Sequence, residues 1–221
     1  TPRGQKRYLV ISIRNLTVSY GQNKPIDSLS LDIDGGCVAI TGPSGSGKST
    51  LLRSIAGLQR PHSGTIAING ERVADAGRFS AGDPRVGLIH QDYRLVPFLT
   101  IRENLQLAAE VRQLDLDDEA CEGALEQVGL GHITPTRKPA SLSGGEQQRL
   151  AIARLLICRV DVVLADEPTG ALDLDNTERV GRILVGLGEL PGVTVLVATQ
   201  DPVVAAMCET VYRLECGHLA A

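Results

Sequence analysis

The chain has 221 residues, of which 43% are hydrophobic, so it is long enough to bury the core of one α/β domain. Its net charge of −4 argues against general binding to nucleic acid or to anionic membranes. Aromatic side chains make up 3% of the sequence, with no Trp, so platforms for stacking nucleic-acid bases are not expected.

The apolar segments of the chain are too short to cross a membrane as helices. The run at 155–165 is interrupted by Arg159 and Asp161, well before the roughly 18 residues that a bilayer requires. The start of the sequence lacks the apolar stretch of a signal peptide, and the five cysteines form no CxxC pair. We therefore expect a protein of the reducing cytoplasm.

The first third of the chain is predicted to be rich in β-strands. Residues 8–20 alternate between apolar and polar side chains, and residues 36–40 and 65–68 are short runs of β-forming residues. The pair Asn69-Gly70 after the third run is a hairpin turn signal. This third therefore combines antiparallel strands with one strand, 36–40, that leads directly into a glycine-rich loop.

The middle of the chain, Leu99–Ile133, changes to a helical and acidic pattern, which predicts an inserted helical lobe with a solvated face. After this lobe, helical and strand patterns alternate. They comprise a helix at 146–158, a strand at 160–165, a helix at 174–188 and a strand at 193–198. Alternating units of this kind predict a parallel sheet.

The glycine-rich segment GPSGSGKST has the pattern G-x-x-x-x-G-K-[ST] between a strand and a helix. Its glycines let backbone N–H groups turn toward an anion, Lys48 can reach the outer phosphates of a nucleoside triphosphate, and the Ser49 hydroxyl can bind Mg²⁺. The alternative is a glycine-rich turn that only closes a strand–helix unit. The predicted phosphate-binding residues are Gly42, Pro43, Ser44, Gly45, Ser46, Gly47, Lys48, Ser49 and Thr50.

Two adjacent carboxylates, Asp166 and Glu167, end the apolar strand at 160–165. Beside a phosphate loop, Asp166 can hold Mg²⁺, while Glu167 can orient and deprotonate the attacking water. The alternative is that both charges merely end the strand, which Pro168 prevents from continuing.

A second candidate anion site lies in SLSGGEQQRLAIARLLI, residues 141–157, where an amphipathic helix is predicted to start. Ser143 and Glu146 fit a capping box, which is a purely structural explanation. The two glycines between them lower helix stability by about 1 kcal/mol each, so we expect that something approaches the backbone closely there. A helix N-terminus with free N–H groups binds anions, so the chain would hold two phosphate-binding elements.

LSGGEQQR and the phosphate loop are accompanied by Gln91, DEPTGALD and the late strand. With these segments the chain resembles the ATP-binding subunit of ABC transporters over essentially its whole length. The resemblance implies an α/β P-loop NTPase core with a mostly parallel sheet, an N-terminal antiparallel β subdomain and an inserted α-helical subdomain. It implies one domain, 1–221, whose core and β subdomain take about 8–90 and 160–221 and whose helical subdomain takes about 92–158.

The resemblance also implies that two subunits pack head to tail around two ATP molecules with Mg²⁺. The LSGGE helix of one subunit would then close over the ATP that the phosphate loop of the other subunit holds. The residues expected to act across this interface are Ser143, Gly144, Gly145, Glu146 and Asp173. Whether the pair is a homodimer, which we expect, or a heterodimer is not decided by the sequence.

Further residues take roles by resemblance. Tyr20 is similar to the aromatic residue that stacks on adenine, although an ordinary strand-end tyrosine is an equal alternative. Gln91 resembles the glutamine that senses Mg²⁺ and the attacking water, so the implied metal residues are Ser49, Gln91 and Asp166, and the implied catalytic residues are Lys48, Gln91, Glu167 and Gln200. Asp173 follows Gly-Ala-Leu, a mild departure from the family's usual wording.

The late strand at 193–198 delivers Thr199, Gln200 and Asp201, three polar residues that we expect at the γ-phosphate. Where this chain has Gln200, the family has a histidine. A glutamine amide can donate a hydrogen bond to phosphate but cannot become an imidazolium or carry a proton. The hypothesis is that ATP binding and dimer closure persist while hydrolysis is slowed, whether the glutamine is natural or introduced.

The function implied by the resemblance is an ATPase that drives conformational change in a separate membrane subunit, docked at 89–105. The wording there and in ADEPTGALD is similar to the lipoprotein-releasing, macrolide-efflux and cell-division branch, and an ordinary importer or exporter is the alternative within transporters. The protein would then lie peripherally on the inner face of the cell membrane. The alternatives are a soluble non-transporter ABC ATPase and an ATP-gated clamp.

Overall fold

Two β-sheets organise residues 10–75 and 82–220, the part of the chain that the computed structural model describes. The strands are β1 (Ile11–Tyr20), β2 (Asn23–Ile33), β3 (Gly36–Thr41), β4 (Ser63–Ile68), β5 (Glu71–Asp75), β6 (Val86–Ile89), β7 (Val162–Asp166), β8 (Thr194–Ala198), β9 (Thr210–Glu215) and β10 (His218–Leu219). The helices are α1 (Lys48–Ile55), α2 (Ile101–Val111), α3 (Asp118–Gln127), α4 (Gly144–Cys158), α5 (Leu174–Gly188) and α6 (Pro202–Met207), with a 3-10 turn at Pro139–Ser141.

The first sheet is antiparallel, in the order β2-β1-β4-β5, and the second has the order β10-β9-β3-β8-β7-β6. In the second sheet every pair is parallel except β9 with β10. The hairpin between β4 and β5 turns at Asn69 and Gly70, both with positive φ, as their sequence predicts. Parallel neighbours far apart in sequence place several strand ends at one edge.

The six-stranded sheet is buried on both faces because its central strands alternate between two hydrophobic clusters. In β8, Val195 and Val197 pack in the cluster with α4 and α5, whereas Leu196 and Ala198 pack in the cluster with α1 and the antiparallel sheet. All four side chains are fully buried. A sheet covered on both sides needs such continuous apolar strands, and this is why 193–198 is recognisable from sequence.

The helical lobe is inserted between β6 and β7 and consists of α2, α3 and the start of α4. Thr100 and Glu103 form a capping box at the beginning of α2. The buried Asn104 on the same helix accepts from the N–H of Val96 and donates to its carbonyl, and this fixes the loop before α2. Among the helices of the described residues, none has the length and apolar character needed to cross a membrane.

The fold class predicted from the sequence is confirmed: a mostly parallel core sheet, an antiparallel N-terminal sheet and a helical insertion. The first predicted strand included Tyr8 and Leu9, which lie outside the described residues. Sequence patterns missed α6, β6, β9 and β10. They also missed β2, which contains Pro25 and a positive φ at Ser28 (52°). The predicted domain boundaries stay a prediction.

Candidate active site

The candidate site forms where β3, β8 and β7 end side by side. Ile40 pairs with Ala198, and Ala198 pairs with Asp166, so the three strands finish at the same level. The phosphate loop follows β3, the carboxylate pair ends β7, and Gln200 follows β8. We call this place the carboxyl edge. Segments more than 100 residues apart in sequence meet there only because of the strand order β3-β8-β7.

The glycines of the phosphate loop are required by the chain itself. Gly42 and Gly47 have φ values of 146° and 107°, which disfavour any side chain. A Cβ on Gly42 would lie 2.1 Å from the carbonyl oxygen of Leu214, and a Cβ on Gly47 would lie 2.1 Å from that of Pro25. Gly45, with φ 79°, has open space instead. The loop is therefore held closely by its own neighbours at both ends and is open in the middle.

Lys48 begins α1 and is buried, with 5% of its surface exposed. Its Nζ donates to the carbonyl oxygens of Gly42 (2.8 Å) and Pro43 (3.2 Å) and lies 3.4 Å from Glu167 Oε1. A buried ammonium is stable only when it is paired and hydrogen-bonded, and these three oxygens meet that need. The amine is thus held at the mouth of the loop.

Ser49 and Asp166 join the loop to the end of β7. The hydroxyl of Ser49 donates to Asp166 Oδ1 over 2.8 Å, although the two residues are 117 positions apart. A hydroxyl and a carboxylate side by side are hard oxygen ligands of the kind that Mg²⁺ prefers. Ser46 Oγ, nearby in the loop, is buried without a hydrogen-bond partner among the described residues. These donors and acceptors fit a phosphate chain and its Mg²⁺.

Glu167 sits in a strained backbone conformation, with φ at 48° directly after β7. Its N–H donates to the carbonyl of Ala198 (2.8 Å), and its own carbonyl accepts from the N–H of Gly170 (3.2 Å). A non-glycine residue in the left-handed region costs about 1–3 kcal/mol, and such strain concentrates at functional sites. In this conformation the carboxylate of Glu167 faces Lys48 and Gln200.

Gln200 contacts the carboxylate of Glu167 twice. Its backbone N–H donates to Oε2 and its side-chain Nε2 donates to Oε1, both over 3.1 Å. The expectation that Thr199 and Asp201 face the γ-phosphate together with Gln200 is wrong, because both side chains make local contacts at the start of α6. Thr199 Oγ1 accepts from the N–H of Asp201, and Asp201 caps α6 through the N–H of Val203. A helix directly after the strand needs these caps, so only the middle residue reaches the carboxyl edge.

Of the other predicted residues, Gln91 lies near this edge and Tyr20 lies at the end of β1. Tyr20 is 53% exposed at the end of β1, and its hydroxyl donates to Gln59 Oε1 over 2.6 Å. Gln91 follows β6, and its Nε2 would lie 3.3 Å from a Cβ on Gly170, three residues after Glu167. Tyr20 therefore presents a ring to solvent, and Gln91 lies against the segment that follows the carboxylate pair.

The segment Ser143–Glu146 at the start of α4, which we call the tip, has the capping box that its sequence predicts. Ser143 Oγ accepts from the N–H of Glu146, while Glu146 Oε2 accepts from the N–H of Ser143. Ser143 and Gly144 are exposed, and Gly145 is buried. Among the described residues, no hydrogen bond or ion pair joins the tip to the phosphate loop.

Asp173 lies close to the tip but is occupied by its own helix. Its carboxylate accepts a hydrogen bond from the backbone N–H of Asn176, and both of its oxygens accept from the side-chain Nδ2 of Asn176. Asp173 thereby forms the N-cap of α5. These hydrogen bonds hold the pKa of Asp173 below its ordinary value. Asn176 also lies against Gly145 and accepts from Arg149. Sequence reasoning missed Asn176 and Arg149, because each looks like an ordinary helix residue.

One cavity in the described part of the chain lies away from the carboxyl edge. It has a volume of 630 Å³ and opens at the amino ends of β7 and β8, between α3 and the ends of α4 and α5. Its wall is mainly apolar, with Leu155, Val163 and Leu187 among the lining residues. None of the predicted site residues lines it, so the shape of the cavity gives no reason to move the site there.

Comparison with known proteins identifies relatives of this chain. Residues 26–170 match the family described as ABC transporter. Over 186 residues the chain is 40% identical to a lipoprotein-releasing system ATP-binding protein, LolD, of Hydrogenovibrio crunogenus, covering 82% of this chain and 80% of that protein. It is 37% identical to an uncharacterised ABC transporter ATP-binding protein, YbbA, of Escherichia coli K12, covering 95% and 96% of the two chains.

Solved structures give the same fold. The dimeric ATP-binding cassette MJ0796, in a post-hydrolysis state bound to ADP and Pi, superposes with a TM-score of 0.81 at 32% identity. The superposition covers 96% of this chain and 97% of that one. A second dimeric structure of the same cassette gives a TM-score of 0.81 at 33% identity, with the same coverage.

Proposed function

The chain belongs to the ABC transporter ATP-binding family, and from this premise we propose that two copies close head to tail around two ATP molecules. As a family member it is an ATPase that uses ATP with Mg²⁺. The observation that carries the head-to-tail arrangement is the tip: Ser143 and Gly144 are exposed and contact no part of the phosphate loop of their own chain. The dimeric cassettes at 32–33% identity support the same arrangement.

The tip retains donors for an anion after its capping box is complete. The first N–H groups of a helix have no partner within the helix. The box uses the N–H groups of Ser143 and Glu146, whereas Gly144 and Gly145 donate no backbone hydrogen bond among the described residues. The capping box and anion binding therefore do not compete. A phosphate of the partner's ATP can take the two remaining donors together with the positive end of α4.

At the carboxyl edge, the residues of one copy would hold and hydrolyse its own ATP. Lys48 exchanges the carbonyls of Gly42 and Pro43 and the Glu167 carboxylate for phosphate oxygens, and this releases Glu167 Oε1 to accept a proton from the attacking water. Mg²⁺ bound by Ser49 and Asp166 would supply charge neutralisation for the phosphates. Gln91 would complete this metal site and couple it to the helical lobe. Tyr20 would stack on adenine.

Gln200 is proposed to hold Glu167 in place but to slow hydrolysis. Its backbone N–H and its side-chain Nε2 both donate to the Glu167 carboxylate, so they fix the orientation of the base. The amide can donate a hydrogen bond, but it cannot act as a proton carrier and brings no positive charge to the γ-phosphate. Losing one positioned transition-state contact reduces turnover by about 10²–10³.

Sedimentation tests the head-to-tail dimer. Protein carrying Glu167→Gln, which suppresses hydrolysis, is expected to dimerise when ATP and Mg²⁺ are added and to stay monomeric with ADP. Ser143→Arg fills the exposed tip and is expected to prevent this dimerisation without changing ATP binding to the monomer. Ser63→Arg, at an exposed strand end, is the matched control. Equal dimerisation of the Ser143 and Ser63 variants would contradict the arrangement.

We propose further that a membrane subunit docks on the helical lobe near 89–105. Phe98 and Val111 are 72% and 75% exposed, an unusual degree for such apolar side chains. Arg154 of α4 donates to the carbonyls of Tyr93 and Arg94. The loop within 89–105 is therefore hydrogen-bonded to the helix that begins at the tip. Movement at the loop can therefore reach the ATP of the partner copy.

We propose that the chain belongs to the lipoprotein-releasing, macrolide-efflux and cell-division branch, and its 40% identity to a lipoprotein-releasing system ATP-binding protein supports this proposal. The chain would then lie on the inner face of the membrane through its partner. Phe98→Asp is expected to lower the amount of chain that sediments with native membranes, and Val211→Asp on β9, at 49% exposure, is the control. A soluble ATPase would show no membrane-bound fraction for any variant.

The contact between Gln200 and Glu167 favours one second candidate, an ATP-gated clamp. If the amide arrests the base, ATP would close the dimer and release would be slow. In that case the chain forms a lasting dimer with ATP and Mg²⁺ without needing Glu167→Gln. The clamp would be excluded if the half-time of ATP turnover were shorter than the half-time of dimer dissociation.

A further inference from the structure

The side chain of Asn176 joins the two elements that the proposed dimer presents to its partner. Its Nδ2 donates to both carboxylate oxygens of Asp173, each over 3.0 Å. Its Oδ1 accepts from Arg149 Nη1 on α4, also over 3.0 Å. One amide group therefore connects the N-cap of α5 with the helix that carries the tip.

The same amide explains why residue 145 is a glycine. A Cβ on Gly145 would lie 2.3 Å from Asn176 Oδ1 and 2.5 Å from its Cγ, closer than real contacts allow. The group that approaches the helix backbone here is thus a side chain of the same chain. The amide is pressed against the first turn of α4, and both helices are held at a fixed separation at this point.

Arg149 makes the amide difficult to replace. It is 5% exposed, and burial together with the nearby Arg179 lowers the pKa of its guanidinium. No carboxylate of the described residues lies within ion-pair distance of it, and Asn176 Oδ1 is its one side-chain hydrogen-bond acceptor there. Removing that acceptor leaves a buried charged donor without a partner, which is unfavourable.

We propose that Asn176 is a positioning residue that holds the tip and Asp173 in one arrangement, so that both meet the partner's ATP together. The proposal rests on the head-to-tail dimer of the proposed function. It predicts that Asn176 acts on dimer closure and leaves ATP binding to the phosphate loop unchanged, because the amide touches no residue of the carboxyl edge.

The test uses sedimentation in the Glu167→Gln background. Asn176→Ala is expected to weaken ATP-dependent dimerisation about tenfold, the loss typical of a hydrogen bond to charged groups, while the monomer binds ATP as before. Arg182→Ala, whose exposed side chain on α5 contacts Glu178, is the control and is expected to dimerise normally. If the unaltered background protein does not dimerise, the proposed function fails. If it dimerises and Asn176→Ala dimerises equally well, only the role of Asn176 fails.

A double-mutant cycle separates positioning from general damage to the fold. Gly145→Ala alone places a methyl group against Asn176 and is expected to reduce dimerisation strongly. In Asn176→Ala protein the two closest atoms, Oδ1 and Cγ, are gone, so the same Gly145→Ala change should have a clearly smaller effect. Additive effects in the cycle would overturn the proposal, since they would show that the two positions do not act through each other.

A separate observation concerns two cysteines. Cys37 on β3 is fully buried, and its Sγ lies 3.4 Å from the Sγ of the half-buried Cys208, which follows α6. The N–H of Glu209 donates to the carbonyl of Cys37, so the two backbones are already neighbours. The hydrogen bond between the thiols lowers the pKa of Cys208 and raises that of Cys37. Cys208 is therefore the better nucleophile of the pair.

From this geometry we infer that Cys37 and Cys208 form a disulfide when a small disulfide such as oxidised glutathione is present. Cys208 Sγ attacks one sulfur of the small disulfide, giving a mixed disulfide and one released thiol. Cys37 then attacks Cys208 Sγ, loses its proton and expels the second thiol. The protein loses two hydrogens and two electrons, and the small disulfide becomes two thiols. The new bond would fix the end of α6, the helix that begins two residues after Gln200, to β3.

Mass spectrometry of Cys216→Ser protein, which lacks the exposed thiol, tests this inference. Oxidised glutathione should lower the mass by two hydrogens, and digestion should yield a peptide pair joined through Cys37 and Cys208. The unfolding temperature should rise by roughly 5 °C or more and return on reduction. Cys158→Ser should not alter this result, whereas Cys208→Ser should abolish it. Glutathione remaining on Cys208, or no reaction at the pair, would overturn the inference.

Discussion

The carboxyl edge and the tip offer ATP two opposite kinds of surface. At the carboxyl edge, Lys48, Glu167 and Gln200 contact one another, and the lysine is almost completely buried. At the tip, Ser143 and Gly144 are exposed, and the capping contacts span only three residues of sequence. At the carboxyl edge the side chains find their hydrogen-bond partners within one chain. At the tip the backbone N–H groups of Gly144 and Gly145 have no hydrogen-bond partner among the described residues. This difference is what we expect if the edge performs the chemistry and the tip acts on the ATP of a partner copy, as proposed above.

The two surfaces also differ in how they are stabilised. Strain at Glu167 and close backbone approaches at Gly42 and Gly47 are tolerated because the buried sheet fixes the surroundings. The tip is stabilised by helix caps that would form in any α-helix with this sequence. We therefore expect changes at the carboxyl edge to affect turnover and folding, and changes at the tip to affect mainly dimerisation.

The largest expected effect tests the chemistry assigned to the edge. Glu167→Gln is expected to lower ATP turnover by about 10²–10⁴, because a neutral amide cannot take the proton of the attacking water. ATP binding should persist, since the variant leaves the phosphate loop and Lys48 unchanged and Lys48 can still exchange the loop carbonyls for phosphate oxygens. Turnover measured by phosphate release checks this. Unchanged release in the variant would remove Glu167 as the base and would weaken the contrast between the two surfaces.

Gln200→His is expected to give the next largest effect, in the opposite direction. An imidazole can carry charge and a proton toward the γ-phosphate, so turnover should rise by about 10² or more. The comparison is made by phosphate release at saturating ATP, with the same dimerisation constant expected for both proteins. Equal rates for Gln200 and the histidine variant would defeat the hypothesis that glutamine slows this enzyme.

Two glycines of the phosphate loop form a matched pair for stability. Gly47→Ala combines a φ of 107° with a backbone oxygen 2.1 Å from the new Cβ, so we expect a loss of about 3 kcal/mol or more in the free energy of unfolding. Gly45→Ala, with φ 79° and open space, should lose only about 1 kcal/mol. Chemical denaturation measures both. Equal losses would show that the close approach at Gly47 is not rigid.

The smallest expected effect concerns Asp173 beside the tip. Its pKa is lowered from 3.8 by hydrogen bonds from Asn176, so its carboxylate adds stability that is complete above that value and is lost as the pH falls through the lower folded-state pKa. Asp173→Asn keeps a helix cap but removes this titration. The stability difference between the two proteins should therefore disappear in acid. A difference that stays constant from pH 7 to acid would contradict the role of the charge.

Several elements were predictable because their signals are local. The strand that ends at Asp166, the helix at 174–188 and the hairpin at Asn69-Gly70 each follow from periodicity or turn chemistry within a few residues. The phosphate loop was recognisable for the same reason, since its spacing lies within nine residues. In contrast, α6 was missed because Asp201 was interpreted as a site residue when it is a helix cap. A polar side chain at a strand end carries the same sequence signal for both roles.

The sequence by itself determined the family, the motifs, and the periodic strands and helices. Only the tertiary structure decided that Gln200 donates to Glu167, that Asn176 joins Arg149 to Asp173, and that Cys37 meets Cys208. The reason is physical. Periodicity, caps and tight turns depend on neighbours in the chain, whereas these contacts depend on which strands and helices pack together. Hydrophobic burial drives that packing without direction, so the pairing cannot be derived from any single segment.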